Sequence, residues 1–306
     1  MESKNLPRRT QRERWRPRNG FASLSLVLRS TALALAVLCA AVPASANKPS
    51  NPAFLGIGMN DLGGGVRGVG PCTIVSIEVG SGAEAAMLQP GDVLERVDAR
   101  PIPNCTALTE VITSKTPGTV IQVEVRRRAQ SLKVKAELLT RDEILRRRLV
   151  GQPLPAVEAL RVEDGELVDL GAVKRTTIIG WYPMSCAGCD TLVSAVARWG
   201  RERAARRAPV GVVAAVADVS LHRSATESLE QLRLVQRSLD APLFAVDFET
   251  YSKFAMRDHD RVHFVVIDSR GVVQHVAPIM PDAEDSAALL DELYAAAEQT
   301  ARRSSR

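Results

Sequence analysis

Apolar residues fall into different patterns along the chain, and the changes between patterns mark its organisation. Between residues 50 and 140 they alternate with polar ones. Ile121, Val123 and Val125 share one side of Thr119–Val125 with Gln122 and Glu124 opposite, and Leu132, Val134, Ala136 and Leu138 alternate with Lys133, Lys135 and Glu137. A period of two with one polar face predicts two half-buried strands, joined through a polar turn at Arg126–Ser131. Pro90-Gly91 fits the centre of a type II turn, where proline presets φ and glycine accepts φ > 0. Asn104 is placed to cap a helix whose Leu108, Val111 and Ile112 recur at i, i+3 and i+4, and a first short helix is expected over Gly82–Leu88.

After Gly151 the pattern changes. Thr177–Tyr182 and Val210–Val216 are continuous apolar runs, as strands covered on both faces require. Between them Leu192, Val193, Val196 and Trp199 repeat at helical spacing. Val262–Ile267 and Val272–Val276 flank a hairpin turn at Asp268–Gly271, and Leu289, Leu290, Leu293, Tyr294 and Ala297 share one face of a last helix, with Asp282 near its start. Arg141–Val150, with Arg146-Arg147-Arg148, reads as a short charged connector with a solvated helix face.

The first 46 residues follow neither pattern. Lys4, Arg8, Arg9, Arg12, Arg14, Arg16 and Arg18 precede an apolar run from Thr31 to Val42, which Pro43 and the small residues Ala44-Ser45-Ala46 close. This order is that of a secretory signal peptide. Cleavage near Ala46 would leave a periplasmic or secreted protein. The alternative is an uncleaved inner-membrane anchor over 21–42, although Arg29 lies inside that span. No later stretch reaches the roughly 18 apolar residues of a membrane-crossing helix.

Composition changes this picture in one respect. The 306 residues allow two domains, and 45% apolar with 25% charged residues is an ordinary globular mixture. The net charge of +5 belongs to the leader: residues 1–46 hold eight basic and two acidic side chains, leaving −1 for the rest. The body therefore has no basic footprint, and with aromatics at 4% it offers few stacking platforms, so a nucleic-acid partner is not expected. Cys39 lies in the leader. Cys72, Cys105, Cys186 and Cys189 remain, an even set that an oxidising compartment allows to pair.

The candidate chemistry is Cys186-Ala187-Gly188-Cys189, at a predicted strand-to-helix junction. Two cysteines three apart at a helix start can form a small-ring disulfide, and the helix dipole favours thiolate there. Cys186, the outer sulfur, would attack a substrate disulfide, and Cys189 would resolve the mixed disulfide. Zinc would need two further ligands. Cys72 and Cys105 lie in the other region, and His222, His259, His263 and His275 form no convincing ligand pair with them. No metal or cofactor is expected. Gly63, Gly65 and Gly68 match G-x-G-x-x-G, but the β-rich Cys72–Val79 follows where a phosphate loop needs a helix, so a hairpin loop is expected.

Two family resemblances attach to these regions. Phe54-Leu55-Gly56-Ile57, Val79-Gly80-Ser81-Gly82-Ala83-Glu84 and Leu88-Gln89-Pro90-Gly91-Asp92-Val93-Leu94 resemble a PDZ domain of the bacterial protease-associated type. The likeness implies that the backbone N–H groups of Leu55, Gly56 and Ile57 hold the terminal carboxylate of a peptide. The peptide would add as a strand to a groove faced by Leu108 and by Val111 or Ile112. The alternative is that these residues are plain core in a module that binds nothing. A protease is not expected, because no serine-protease signature accompanies the module. The PDZ layout also implies that Cys72 and Cys105 lie on one side of the domain, either bridged or as two buried thiols.

The later region resembles the redoxin/TlpA-like exported thiol-disulfide oxidoreductases. The matching stretches are Gly151-Gln152-Pro153-Leu154-Pro155, Trp181-Tyr182-Pro183-Met184-Ser185, Asp247 ahead of Tyr251–Met256, and Val265–Gly271. Three positions depart from that family: Ser185 where a tryptophan commonly stands, Gly180 in place of thioredoxin's buried acid, and Val262 where a cis-proline faces the disulfide.

The expected architecture is two-domain α/β: a PDZ-like, partly open β-barrel with two helices, then a thioredoxin-like α/β/α sandwich. The order is a signal peptide at 1–46, the peptide-binding domain at 50–140, a linker at 141–150, the thioredoxin-like domain at 151–300 and a basic tail at 301–306. The expected partners are a protein disulfide or dithiol, a C-terminal or extended peptide, and a membrane or periplasmic electron donor. Two other readings compete: a PDZ adaptor on a degenerate thioredoxin scaffold, and a thiol peroxidase of the redoxin superfamily.

Overall fold

The computed structural model describes residues 52–61, 70–204, 209–218, 225–254 and 259–304. The signal-peptide expectation, the loop of Gly63, Gly65 and Gly68, His222, Met256 and the last two residues of the tail lie outside them. Among the described residues, no helix is long and apolar enough to cross a membrane.

The first region is an antiparallel sheet of β1 (Ile57–Asp61), β2 (Cys72–Ile77), β3 (Val93–Val97), β4 (Arg100–Pro101), β5 (Val120–Arg127) and β6 (Gln130–Glu137). Its order is β1-β2-β3-β5-β6, with β4 hanging on β3. A single bridge from Phe54 to Leu139 draws the two ends together without closing a barrel. The helices are α1 (Gly82–Ala85) and α2 (Cys105–Thr113). Asn104 caps α2 as expected, its side-chain oxygen accepting from Ala107 N at 2.9 Å. Gly91 takes φ +92° in the turn whose Asp92 N donates to Gln89 O at 3.1 Å.

The hairpin turn is tighter than the sequence indicates. Arg126 pairs with Ser131 and Arg127 with Gln130, so only Arg128 and Ala129 are left to turn, with Arg128 at φ +57°. Both arginines are anchored in the ladder by carboxylates that local polarity does not reveal. Arg126 Nε lies 2.9 Å from Glu95, and Arg127 grips the wholly buried Asp92 through Nε (2.7 Å) and a terminal nitrogen (2.8 Å). Burial raises the Asp92 carboxyl, but the hydrogen bonds from Arg127 and Gln89 and the Arg127 charge outweigh it and hold the group below its ordinary value.

The second region is a sheet of seven strands: β7 (Glu158–Arg161), β8 (Leu167–Asp169), β9 (Thr177–Pro183), β10 (Gly211–Asp218), β11 (Leu243–Asp247), β12 (Val262–Ile267) and β13 (Val273–Ile279). The order is β13-β12-β9-β10-β11-β7-β8. Strands β9, β10 and β11 run parallel, and β12 is antiparallel to both β9 and β13. Parallel strands continued by an antiparallel hairpin give the thioredoxin-like arrangement. One face is covered by α4 (Cys189–Ala204), α5 (Ala225–Ser238) and α7 (Ser286–Ser304), which bring Leu192, Val193, Leu232, Leu293 and Ala297 onto Ile178, Tyr182 and Phe264. The edge hairpin β7–β8 leaves no signature in the sequence, because strands of four and three residues carry no usable period.

The other face is covered by α6 (Phe248–Lys253) and by α3 (Arg141–Leu149), the segment expected to be a solvated connector. Thr140 caps α3, and Asp142, Ile144, Leu145 and Leu149 are buried. Leu145 and Leu149 join the core around Ile179, Trp181 and Val265. The arginines mask this role in the sequence, yet Arg146 and Arg147 stay exposed while the opposite side packs. The connector is therefore a structural layer of the sandwich.

His263 sits on the same face, opposite Trp181 in the ladder. It is buried, and neither ring nitrogen has a hydrogen-bond partner among the described residues. Burial first, then the Arg261 charge, push its pKa down to about 3 against a weaker pull from Asp260. The unfolded chain therefore takes up a proton near pH 6.5 that the folded chain refuses until about pH 3. Stability should fall as pH drops through that window, by up to about 1.4 kcal/mol per unit. From pH 7 to pH 5, urea midpoints should show the wild type losing about 2 kcal/mol more than His263→Leu. Parallel losses would contradict the assignment.

Candidate functional site

The Cys186–Cys189 motif is built at the end of β9, an interior strand of the sheet. Every residue of β9 is buried, and the chain leaves it at Pro183, whose carbonyl accepts from Cys186 N at 3.0 Å. Gly188 takes φ +78°, and α4 opens at Cys189. Cys186 and Cys189 are joined in a disulfide with Cα atoms 5.6 Å apart. Cys186 is half-buried and Cys189 has no exposure. An accessible sulfur therefore precedes an inaccessible one at a helix start, the order that attack followed by resolution requires. Asp190 is acidic in the first turn of α4, so its charge works against the helix dipole that favours a Cys186 thiolate.

A pocket of about 290 Å³ opens beside Cys186, with Tyr182, Met184, Asp190, Val216 and Val235 in its walls. The Tyr182 hydroxyl is buried without a hydrogen-bond partner among the described residues, and desolvation, then the Asp190 charge, raise its pKa. Gly188 packs on Pro281, where an added methyl would lie 3.2 Å from the proline Cβ. The sequence alone singles out none of Tyr182, Asp190 and Pro281 as a site residue. Tyr182 and Asp190 are near the motif and open to a strand-and-helix argument, but nothing in the sequence places Pro281 there.

Gly180 and Val262 share one packed space. A Cβ at Gly180 would lie 3.0 Å from Val193, 3.1 Å from Phe264 and 3.3 Å from Val262. The space that a buried acid would occupy is thus filled by apolar side chains. Val262, the first residue of β12, is wholly buried in the cluster that also contains Cys189.

The second site lies on the first region. Its groove, about 240 Å³, is lined by Leu55, Gly56, Ile57, Leu108 and Ile112, and also by Phe54, Glu78, Thr109, Thr113 and Arg141. Val111 does not line it. Leu108, Val111 and Ile112 are all buried in the same core cluster, and of them only Leu108 and Ile112 also reach the groove. Leu55 O accepts from Ala83 N and Gly56 O from Glu78 N, while the N–H groups of Leu55 and Gly56 have no acceptor among the described residues. Gly56 needs its glycine: φ is +79°, and Ser81 occupies the space a side chain would take. Cys72 and Cys105 are bridged, with Cα atoms 4.7 Å apart, which ties β2 to the start of α2 behind the groove. Asp61 holds the same corner, accepting from Cys105 N at 2.7 Å.

Residues 53–138 match the family model of the PDZ domain. The later part has thioredoxin-like thiol-disulfide oxidoreductases among its structural neighbours. Comparison with curated proteins returns no match. The solved structures include an HtrA-type protease, AlgW with a decapeptide, 20% identical over 29% of this chain and 30% of that one, TM-score 0.27. The match therefore spans less than a third of that protease. A protein from Bacteroides vulgatus proposed as a thiol-disulfide oxidoreductase is 19% identical over 47% of this chain and 96% of that one, TM-score 0.35. A thiol:disulfide interchange protein from Bacteroides sp. is 12% identical over 42% of this chain and 80% of that one, TM-score 0.32.

Proposed function

We propose that the protein is an exported thiol-disulfide oxidoreductase whose PDZ domain recruits a protein partner. The observation that carries this reading is the bond between half-buried Cys186 and fully buried Cys189 at the opening of α4. In the reducing direction, the Cys186 thiolate attacks one sulfur of a client disulfide. A Cys186–client disulfide forms, and the client's other sulfur leaves as a thiolate that takes a proton. Cys189, deprotonated, then attacks Cys186 Sγ, closes the protein disulfide and releases the client's second thiol. Two electrons pass to the client. A dithiol donor in the periplasm or membrane returns them, and the reverse sequence oxidises a client dithiol. No cofactor takes part.

The PDZ groove adds recruitment, because a peptide strand laid between β1 and α2 keeps a partner tethered to the same polypeptide. The test is reduction of insulin disulfides with dithiothreitol as electron source. The protein should accelerate the precipitation of reduced insulin. A rate equal to that of dithiothreitol alone would overturn the redox assignment.

A further inference from the structure

We propose that the pocket beside Cys186 receives a lysine or arginine side chain of the client, next to the client cysteine that Cys186 attacks, and that Asp190 sets this preference. The inference rests on the redox role proposed above and deepens it, because it names the substrate class as a disulfide flanked by a cation.

The pocket, about 290 Å³, shares one wall with the accessible sulfur of Cys186. Its described lining holds one charged side chain, the Asp190 carboxylate, and no cation. Asp190 stands in the first turn of α4, directly after the buried Cys189, and is half-buried itself. Its carboxylate accepts from Thr191 N at 2.8 Å and has no ion-pair partner among the described residues. Tyr182 lines the same space, and its buried hydroxyl has no hydrogen-bond partner among the described residues. Burial first, and the nearby Asp190 charge second, keep that hydroxyl protonated.

A buried polar group without a partner is unfavourable, and so is a partly desolvated charge without a counter-charge. A client ammonium or guanidinium answers both, donating to the Asp190 carboxylate and to the lone pairs of the Tyr182 oxygen. The methylene stem of such a side chain suits the apolar part of the wall, Val216, Leu232 and Val235. Docking has a second effect on the same sulfur. The Asp190 charge opposes a thiolate at Cys186, and a bound cation neutralises it, so a matching client activates its own nucleophile. Neither Val262 nor Pro281 lends a lining residue, so the preference is separate from the position where the family carries its cis-proline.

The test uses the full-length protein, reduced with dithiothreitol and then freed of it. The substrates are disulfide-linked dimers of an end-blocked Gly-Ala peptide with lysine, norleucine or glutamate beside its one cysteine. One reduced protein molecule gives two electrons to one dimer, yielding two peptide thiols and the Cys186–Cys189 disulfide. Each single-turnover rate is divided by the rate with dithiothreitol, which removes the dimers' intrinsic reactivity. The lysine dimer should react about fivefold faster than the norleucine dimer and the glutamate dimer about fivefold slower, the size expected of a partly exposed ion pair. Salt at about 1 M should collapse the spread.

Asp190→Asn should bring the lysine-to-norleucine ratio below about two. Tyr182→Phe, which keeps the ring, should lower the ratio part of the way, and an unchanged ratio would take the hydroxyl out of the subsite. A general change in Cys186 reactivity moves all three dimers together and cancels in the ratio. Thermal midpoints check that the variants fold. If the wild type treats the three dimers alike, or Asp190→Asn keeps the full ratio, the cation subsite is overturned while disulfide reduction stands. If the wild type reduces no dimer, the redox role fails and the inference with it.

Discussion

Cys189→Ser is expected to accumulate covalent complexes with client proteins, and Cys186→Ser to form none and to reduce insulin no faster than buffer. The two sulfurs differ in access: Cys186 is half-buried at the edge of a pocket, and Cys189 is wholly buried in the core cluster that includes Val193 and Val262. A client sulfur can reach only the first. With Cys189 replaced by serine, the mixed disulfide on Cys186 lacks its resolving thiolate and survives until an external thiol arrives. Non-reducing electrophoresis after acid quench reads the difference directly, and dithiothreitol should dissolve the bands. Equal yields from the two variants would show that the order of attack is wrong.

The second large effect concerns stability. Replacing Cys72 and Cys105 together by alanine is expected to cost about 3–4 kcal/mol in the chain-entropy account of a bridge closing a loop of this length. Their separation is 33 residues, and the bridge pins the first turn of α2 to β2. Helix α2 is one wall of the peptide groove, so affinity for a groove peptide should fall as well. Urea unfolding of the double variant checks the first expectation, and an unchanged midpoint would mean that the bridge does no more than two packed thiols.

The redox motif was legible because its chemistry is written in local spacing. A pair of cysteines three apart between an apolar run and a helical stripe needs no knowledge of the rest of the fold. The Asn104 cap was legible for the same reason, whereas Leu55–Ile57 was singled out only by a family resemblance, and the structure places it on the wall of a groove. Orientation within a buried stripe was not. Leu108, Val111 and Ile112 are equally apolar, and the sequence does not say which face the groove and which the core. The structure gives Leu108 and Ile112 to the groove and adds Thr109 and Thr113.

Helix α3 departs from its sequence pattern for a different reason. Its apolar residues 144, 145 and 149 are few, and the arginine run dominates the pattern, yet tertiary packing against a sheet face decides the matter. Arg141 and Pro281 are tied to their sites only through contacts distant in sequence. Gly180 and Val262 stand out as departures from a family, and only the structure shows that they share one packed space.

The most direct test of the account is a redox titration of the full-length protein in dithiothreitol buffers, with thiol alkylation and peptide mapping at each step. The account predicts that Cys186 and Cys189 open together as a reversible two-electron couple, while buried Cys72 and Cys105 stay bonded through the same range. A Cys186–Cys189 pair that never equilibrates with the buffer, or that opens only when Cys72 and Cys105 do, would contradict it.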